Sequence, residues 1–157
     1  MRILLVIFLA ACCIGLLAWG TDKPPDFGIS FPPMKDEAEM DFSLKHLKEL
    51  GISKVRFSES WKFREPRQGF FNWTPLDNRM EFIRKNNLSM MLTIEATGPD
   101  WACKSMHETW CEFKDDADFR NFISELLRRY PGMIDKIQFG NEWDAWYGYG
   151  GPAEDFI

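Results

Sequence analysis

Apolar residues in this chain switch between two periods. Short apolar runs alternate with stretches in which apolar positions recur every three or four residues. Phe27 to Phe31, reading FGISF, predicts a short strand ended by Pro32-Pro33. Met40, Leu44 and Leu47 then recur at helical spacing, Leu50 extends the stripe, and Gly51 stops the helix. KVRFS, Lys54 to Ser58, predicts a second strand, and Leu76, Met80 and Ile83 mark a second helix. LSMMLTIE, Leu88 to Glu95, predicts a third strand. The third helix has the fullest stripe: Phe119, Phe122, Ile123, Leu126, Leu127 and Tyr130. Asp116 and Asp118 stand near its start and Arg128 and Arg129 near its end, as the helix dipole favours, and Pro131-Gly132 terminates it. IDKIQFG, Ile134 to Gly140, predicts the fourth strand.

Strands alternating with helices imply an α/β fold with parallel strands and crossover helices. The doubly wound sheet and the eight-fold barrel share this pattern, and both collect function at the C-terminal ends of their strands. No GxGxxG or GxxxxGK follows any strand, which removes the main support for a dinucleotide or P-loop site.

Residues 1–20 are set apart from this pattern. Arg2 precedes an apolar stretch from Ile3 to about Trp19, and polar TDKPPDF follows. Such a segment reads as targeting rather than fold. It is compatible with a cleaved signal peptide ending at Gly20, a lipoprotein signal with Cys12 lipidated, or a retained membrane anchor. Each reading exports residues 21–157, to the outside, the periplasm or the outer surface.

Composition narrows the partner class. A net charge of −5 argues against nucleic acid. Aromatics make up 15%, including 7 Trp, many of them outside the helices, which suits stacking on ring-shaped ligands as well as core packing. Cys103 and Cys111 are eight positions apart in one loop, and in an oxidising compartment a local disulfide is the favoured reading. His107 between them makes a metal site only weakly, because zinc needs three or four ligands, so no metal and no cofactor is expected.

The strand ends carry the chemistry. Arg56, Ser58, Glu59 and Trp61 belong to strand two and its end, and Glu95 and Trp101 follow strand three. Asn141, Glu142, Trp143 and Trp146 follow strand four. Carboxylates, an amide, a guanidinium and indoles would meet in one cleft. Indoles stack on the apolar faces of sugars, and a carboxylic acid beside apolar rings is shifted toward the general-acid range. That is the chemistry of glycosidic bond cleavage. Some of these residues also have plain readings. Trp61 and Trp143 suit sugar stacking or loop packing equally, while Trp101 and Trp146 lean toward structure. Trp73 suits packing, Glu59 and Glu95 suit solvated or paired carboxylates, and His46 suits a helix surface. Asn72 and Asn87 fit the glycosylation acceptor pattern in NWT and NLS.

In order along the chain stand Arg56, Trp61, Glu65-Pro66, Gly69, Trp73, Leu76-Asp77 and Gly140-Asn141-Glu142. With this ordered set the sequence resembles the N-terminal half of the clan A glycoside hydrolases, over about residues 26–147. VRFSESWKFREPRQGFFNWTPLD and FRNFISELLRRYPGMIDKIQFGNEWD resemble the strand-two and strand-four regions of families 39 and 42, with family 5 nearby. The resemblance implies a (β/α)8 barrel and a retaining mechanism, with Glu142 as general acid/base. Asn141 would bind the sugar 2-hydroxyl, and Arg56 would orient the nucleophile. It places that nucleophile at strand seven. A whole barrel takes about 250 residues, so the expectation is a truncated barrel of four β/α units holding one of two catalytic carboxylates. A cut-short reading frame is the favoured cause, with a dimerising half barrel as the lesser one. The rival readings are a non-catalytic carbohydrate-binding remnant and a structural fragment without a ligand.

Overall fold

The computed structural model describes residues 27–30, 36–107 and 109–143. Phe31 at the end of the first predicted strand, the targeting segment and Trp146 lie outside the described residues. The elements are β1 (Ile29–Ser30), α1 (Glu37–Leu50), β2 (Lys54–Glu59), α2 (Trp61–Arg64), α3 (Thr74–Lys85) and β3 (Ser89–Ile94). They continue with β4 (Cys103–Met106), β5 (Cys111–Phe113), α4 (Asp116–Arg129) and β6 (Lys136–Phe139).

Local chemistry sets the helix ends. Asp36 caps α1 by accepting from the Glu39 N–H, and Gly51 closes it in the left-handed region at φ 66°. There the Gly51 N–H donates to the Leu47 and Lys48 carbonyls, which a residue with a Cβ would do at a cost. Asp115 caps α4 through the Ala117 N–H, with Asp116 and Asp118 in the first turn and Arg128 and Arg129 in the last. Pro75 lies in the first turn of α3, where a missing N–H costs nothing.

The main sheet runs β1-β2-β3-β6, every pair parallel. Its order follows the sequence without reversal. Register places Val55 beside Met90, Phe57 beside Leu92 and Glu59 beside Ile94, so these residues share one face. Against that face pack Leu47 of α1, Leu76, Met80 and Ile83 of α3, and Phe122 and Leu126 of α4, all buried. Helices therefore cover one side of the sheet. Arg56, Met91, Thr93 and Gln138 alternate onto the other side.

Two apolar stripes are narrower than their periodicity predicts. Leu50 is exposed at the C-terminal end of α1, and Leu127 is exposed on α4. Each lies off the arc that meets the sheet, so helical spacing overstates the buried face. The segment after β3 is not a plain loop. It forms an antiparallel hairpin, β4–β5, with a register shift between Cys103 and Ser105. Cys103 and Cys111 are disulfide-bonded across it, with Cα atoms 5.8 Å apart. No described helix is long and apolar enough to cross a membrane.

Candidate active site

Strand polarity places four segments at one end of the sheet: the residues after β2, after β3 and after β6, and the β4–β5 hairpin. At this end β6 turns sharply. Gly140 has φ 67°, and a Cβ there would run into the Trp143 indole. Glycine is thus required twice, by backbone angle and by space. Glu142 also has positive φ, 50°, which costs a non-glycine residue about 1 kcal/mol or more. Strain of this kind collects at functional sites. Asn141 and Glu142 are both exposed at this turn.

Arg56 reaches the same place from β2, 85 positions earlier. Its Nε donates to Thr93 Oγ1 at 2.7 Å and its Nη2 donates to Asn141 Oδ1 at 2.6 Å. The guanidinium is half-buried on the helix-free face, and among the described residues it makes no ion pair. Among the described residues its hydrogen-bond partners, Thr93 and Asn141, are neutral, and its donors suit a carboxylate. Gln138 Nε2 donates to the Gly140 carbonyl at 2.7 Å and lies 3.5 Å from Asn141 Oδ1, too far to add much there. Arg56 and Asn141 are thereby brought together, with Glu142 next along the chain. Thr93 and Gln138, which sequence reading passed over, hold them. Their signal was present: both are polar interruptions of apolar runs, on the same face as Arg56.

The structure separates the tryptophans that sequence reading left even, and it keeps Trp73 and Trp101 in packing. Trp61 cannot be a sugar platform, because it is fully buried. Its ring is enclosed by Trp101, Phe113, Phe119 and Phe122, with centroids 5.2–5.7 Å away. Its Nε1 donates to Glu65 Oε2 at 2.7 Å. Trp101 is half-buried, edge-on to Trp61, and donates to the Glu65 carbonyl. Trp143 is half-buried beside Gly140 and donates to the Phe139 carbonyl at 3.3 Å, so of the described candidates it lies nearest to Glu142 along the chain. Trp73 stacks on Phe71 and Phe122, in packing.

Glu59 is buried and accepts from Arg64 at 2.7 Å and Arg79 at 3.3 Å, on the helix side of the sheet. Such a carboxylate is committed to structure. Glu95 follows β3 and is exposed. His46 is exposed on α1, paired with Glu49. Among the described residues no group of three or more His, Cys, Asp or Glu is arranged to hold a metal.

A family sequence profile described as beta-galactosidase, glycoside hydrolase family 42, matches residues 31–125. A family 39 glycoside hydrolase from Bacteroides cellulosilyticus WH2 superposes with a TM-score of 0.61 at 14% identity, covering 74% of this chain and 24% of that one. A beta-galactosidase from Halorubrum lacusprofundi gives 0.57 at 20% identity, covering 76% and 22%. An exo-beta-1,4-mannosidase from Opitutaceae bacterium strain TAV5 gives 0.56 at 20%, covering 75% and 25%. This chain thus spans about a quarter of the length of these structures. No curated protein matches it.

Proposed function

The chain belongs to the beta-galactosidase family of glycoside hydrolases, family 42, and from that membership we propose that it supplies the acid/base half of a retaining glycosidase site. The sheet is read as the first four strands of a (β/α)8 barrel, since its order does not reverse and its helices share one side. Glu142 acts as general acid and then general base. Asn141 binds a sugar hydroxyl, and Arg56 orients the nucleophilic carboxylate. Trp143 and Trp146 are the aromatic candidates beside the sugar. The observation that carries this reading is the Arg56–Asn141 hydrogen bond beside Glu142. It joins β2 to the turn after β6, 85 positions apart, around an arginine that has no carboxylate partner among the described residues.

Residues 1–20 are read as the export signal or anchor, and the Cys103–Cys111 bond fits an oxidising compartment. The reaction class is hydrolysis of O-glycosidic bonds, with a β-galactoside as the first substrate to try.

A retaining mechanism needs two carboxyl groups about 5 Å apart. Glu59 is taken up by two arginines, so the nucleophile is expected from outside the described residues. We expect the 157-residue chain alone to release no nitrophenol from 4-nitrophenyl β-D-galactoside. In a protein carrying the complete barrel, Glu142→Gln should lower turnover of substrates with poor leaving groups by about 10²–10⁴. Glycosyl-enzyme formation from the nitrophenyl substrate should be spared, because a good leaving group needs little protonation. Hydrolysis by the chain alone that disappears in Glu142→Gln would place both carboxylates in this chain. Sugar binding without cleavage by the complete barrel would favour a carbohydrate-binding protein instead.

A further inference from the structure

The face of the sheet that lacks helices carries a short polar relay, and its direction is fixed by the hydrogen-bonding inventory of its members. An arginine has only donors. The Asn141 atom within 2.6 Å of Arg56 Nη2 must therefore be the amide oxygen, and the Asn141 NH₂ group is turned away from Arg56. Arg56 is fixed in turn by Thr93, which is buried and accepts its Nε–H. The backbone under Asn141 is held by Gln138, whose amide donates to the Gly140 carbonyl. Register seats Thr93 directly beside Gln138, on the neighbouring strands β3 and β6.

Resting on the glycosidase reading above, we propose that Thr93 and Gln138 are positioning residues. Through Arg56 and the Gly140 carbonyl they set Asn141 so that its amide presents donors, not an acceptor, to a bound ligand. The ligand atom read at this point is then an acceptor, such as a sugar hydroxyl oxygen. A ligand offering only a donor there would face two N–H groups and leave both unmatched.

Thr93→Val keeps the volume and shape of the side chain and removes the acceptor. If Thr93 only packs, nothing beyond a small change in melting temperature should follow. If it positions Arg56, the Arg56 Nε–H should exchange with solvent about tenfold faster, the loss of one hydrogen bond to a charged donor. The Asn141 side-chain NH₂ resonances should move in the same variant, and Thr93→Ser should restore both signals. Gln138→Leu supplies an independent arm: Asn141 should move while the Arg56 Nε–H signal stays. These spectra of the 15N-labelled chain need no ligand, so their outcome is separate from that of the glycosidase assay. Asn141 resonances unchanged in both Thr93→Val and Gln138→Leu would overturn the proposal. Titration of the wild-type chain with methyl β-D-galactoside adds a third arm. Broadening or shift of the Asn141 NH₂ signal that weakens in Thr93→Val supports it, and an equal response in both proteins counts against it.

Discussion

Glu65 anchors the segment around α2, and it is only 1% exposed. Its two carboxylate oxygens have separate tasks. Oε2 accepts from the Trp61 indole and Oε1 from the Gly69 backbone N–H. Its carbonyl accepts from Trp101. One side chain thus ties the buried indole to the loop that leads into α3. Glu65→Gln is nearly isosteric, yet it replaces one acceptor by an NH₂ group that must face a donor. We expect a loss of about 1–3 kcal/mol, the cost of a buried donor left without a partner, read as a lower denaturant midpoint with an unchanged slope. A variant as stable as wild type would show that the amide finds another arrangement. The ordered motif from Arg56 to Glu142 was legible in the sequence, but the division of labour within it was not. Trp61 is fully buried while Phe63 is 63% exposed. Residue type does not separate two aromatics placed two apart in a four-residue helix; only the packing of α2 against the aromatic cluster does.

At the scale of elements, α3 and α4 are joined near their ends by Asp77. Arg129 donates to both of its carboxylate oxygens, at 2.9 and 2.7 Å, and the Tyr130 hydroxyl adds a third bond at 2.9 Å. Hydrogen bonding from Arg129 lowers the Asp77 pKa below its ordinary value. The folded protein therefore releases this proton more readily than the unfolded chain. The contribution is present above the unfolded value near 4 and is lost as pH falls through the lower folded value. Both side chains are more than one-third exposed, so Asp77→Asn should cost only about 1 kcal/mol at neutral pH. The difference from wild type should shrink on acidification below about pH 4, as followed by urea midpoints across pH; a gap that stayed constant would assign the cost to packing. The long helices and the central strands were legible because their periods persist over several turns or pairs. The β4–β5 hairpin was not. Its strands have four and three residues, their register shifts, and only Cys103 and Cys111 are buried in them. A disulfide staples what alternation does not announce.

For the whole molecule, the distribution of apolar surface matters more than its amount. The helix-covered side of β2 and β3 is fully packed, whereas the two outer strands are not. Ile29 in β1 is 41% exposed, and Ile137 in β6 is 37% exposed. Among the described residues each of these strands pairs on one side only, leaving backbone donors and acceptors without strand partners along the other. A groove of about 700 Å³ runs across the N-terminal halves of the strands, lined by Ile29, Lys54, Arg56, Met91 and Lys136. Unpaired edges flanked by apolar side chains favour pairing with another chain. The isolated chain should therefore self-associate, with a sedimentation coefficient that rises with concentration. Ile137→Lys places a charge on one such edge without touching the ring packing of Phe139 on Phe113 and Phe119. It should lower the extent of association and leave the melting temperature nearly unchanged. Ile29→Lys should do the same from the opposite edge, and the two effects should add, since the sites are separated by the width of the sheet. A wild-type chain that stays monomeric as its concentration is raised would show that both edges are covered by residues other than those described.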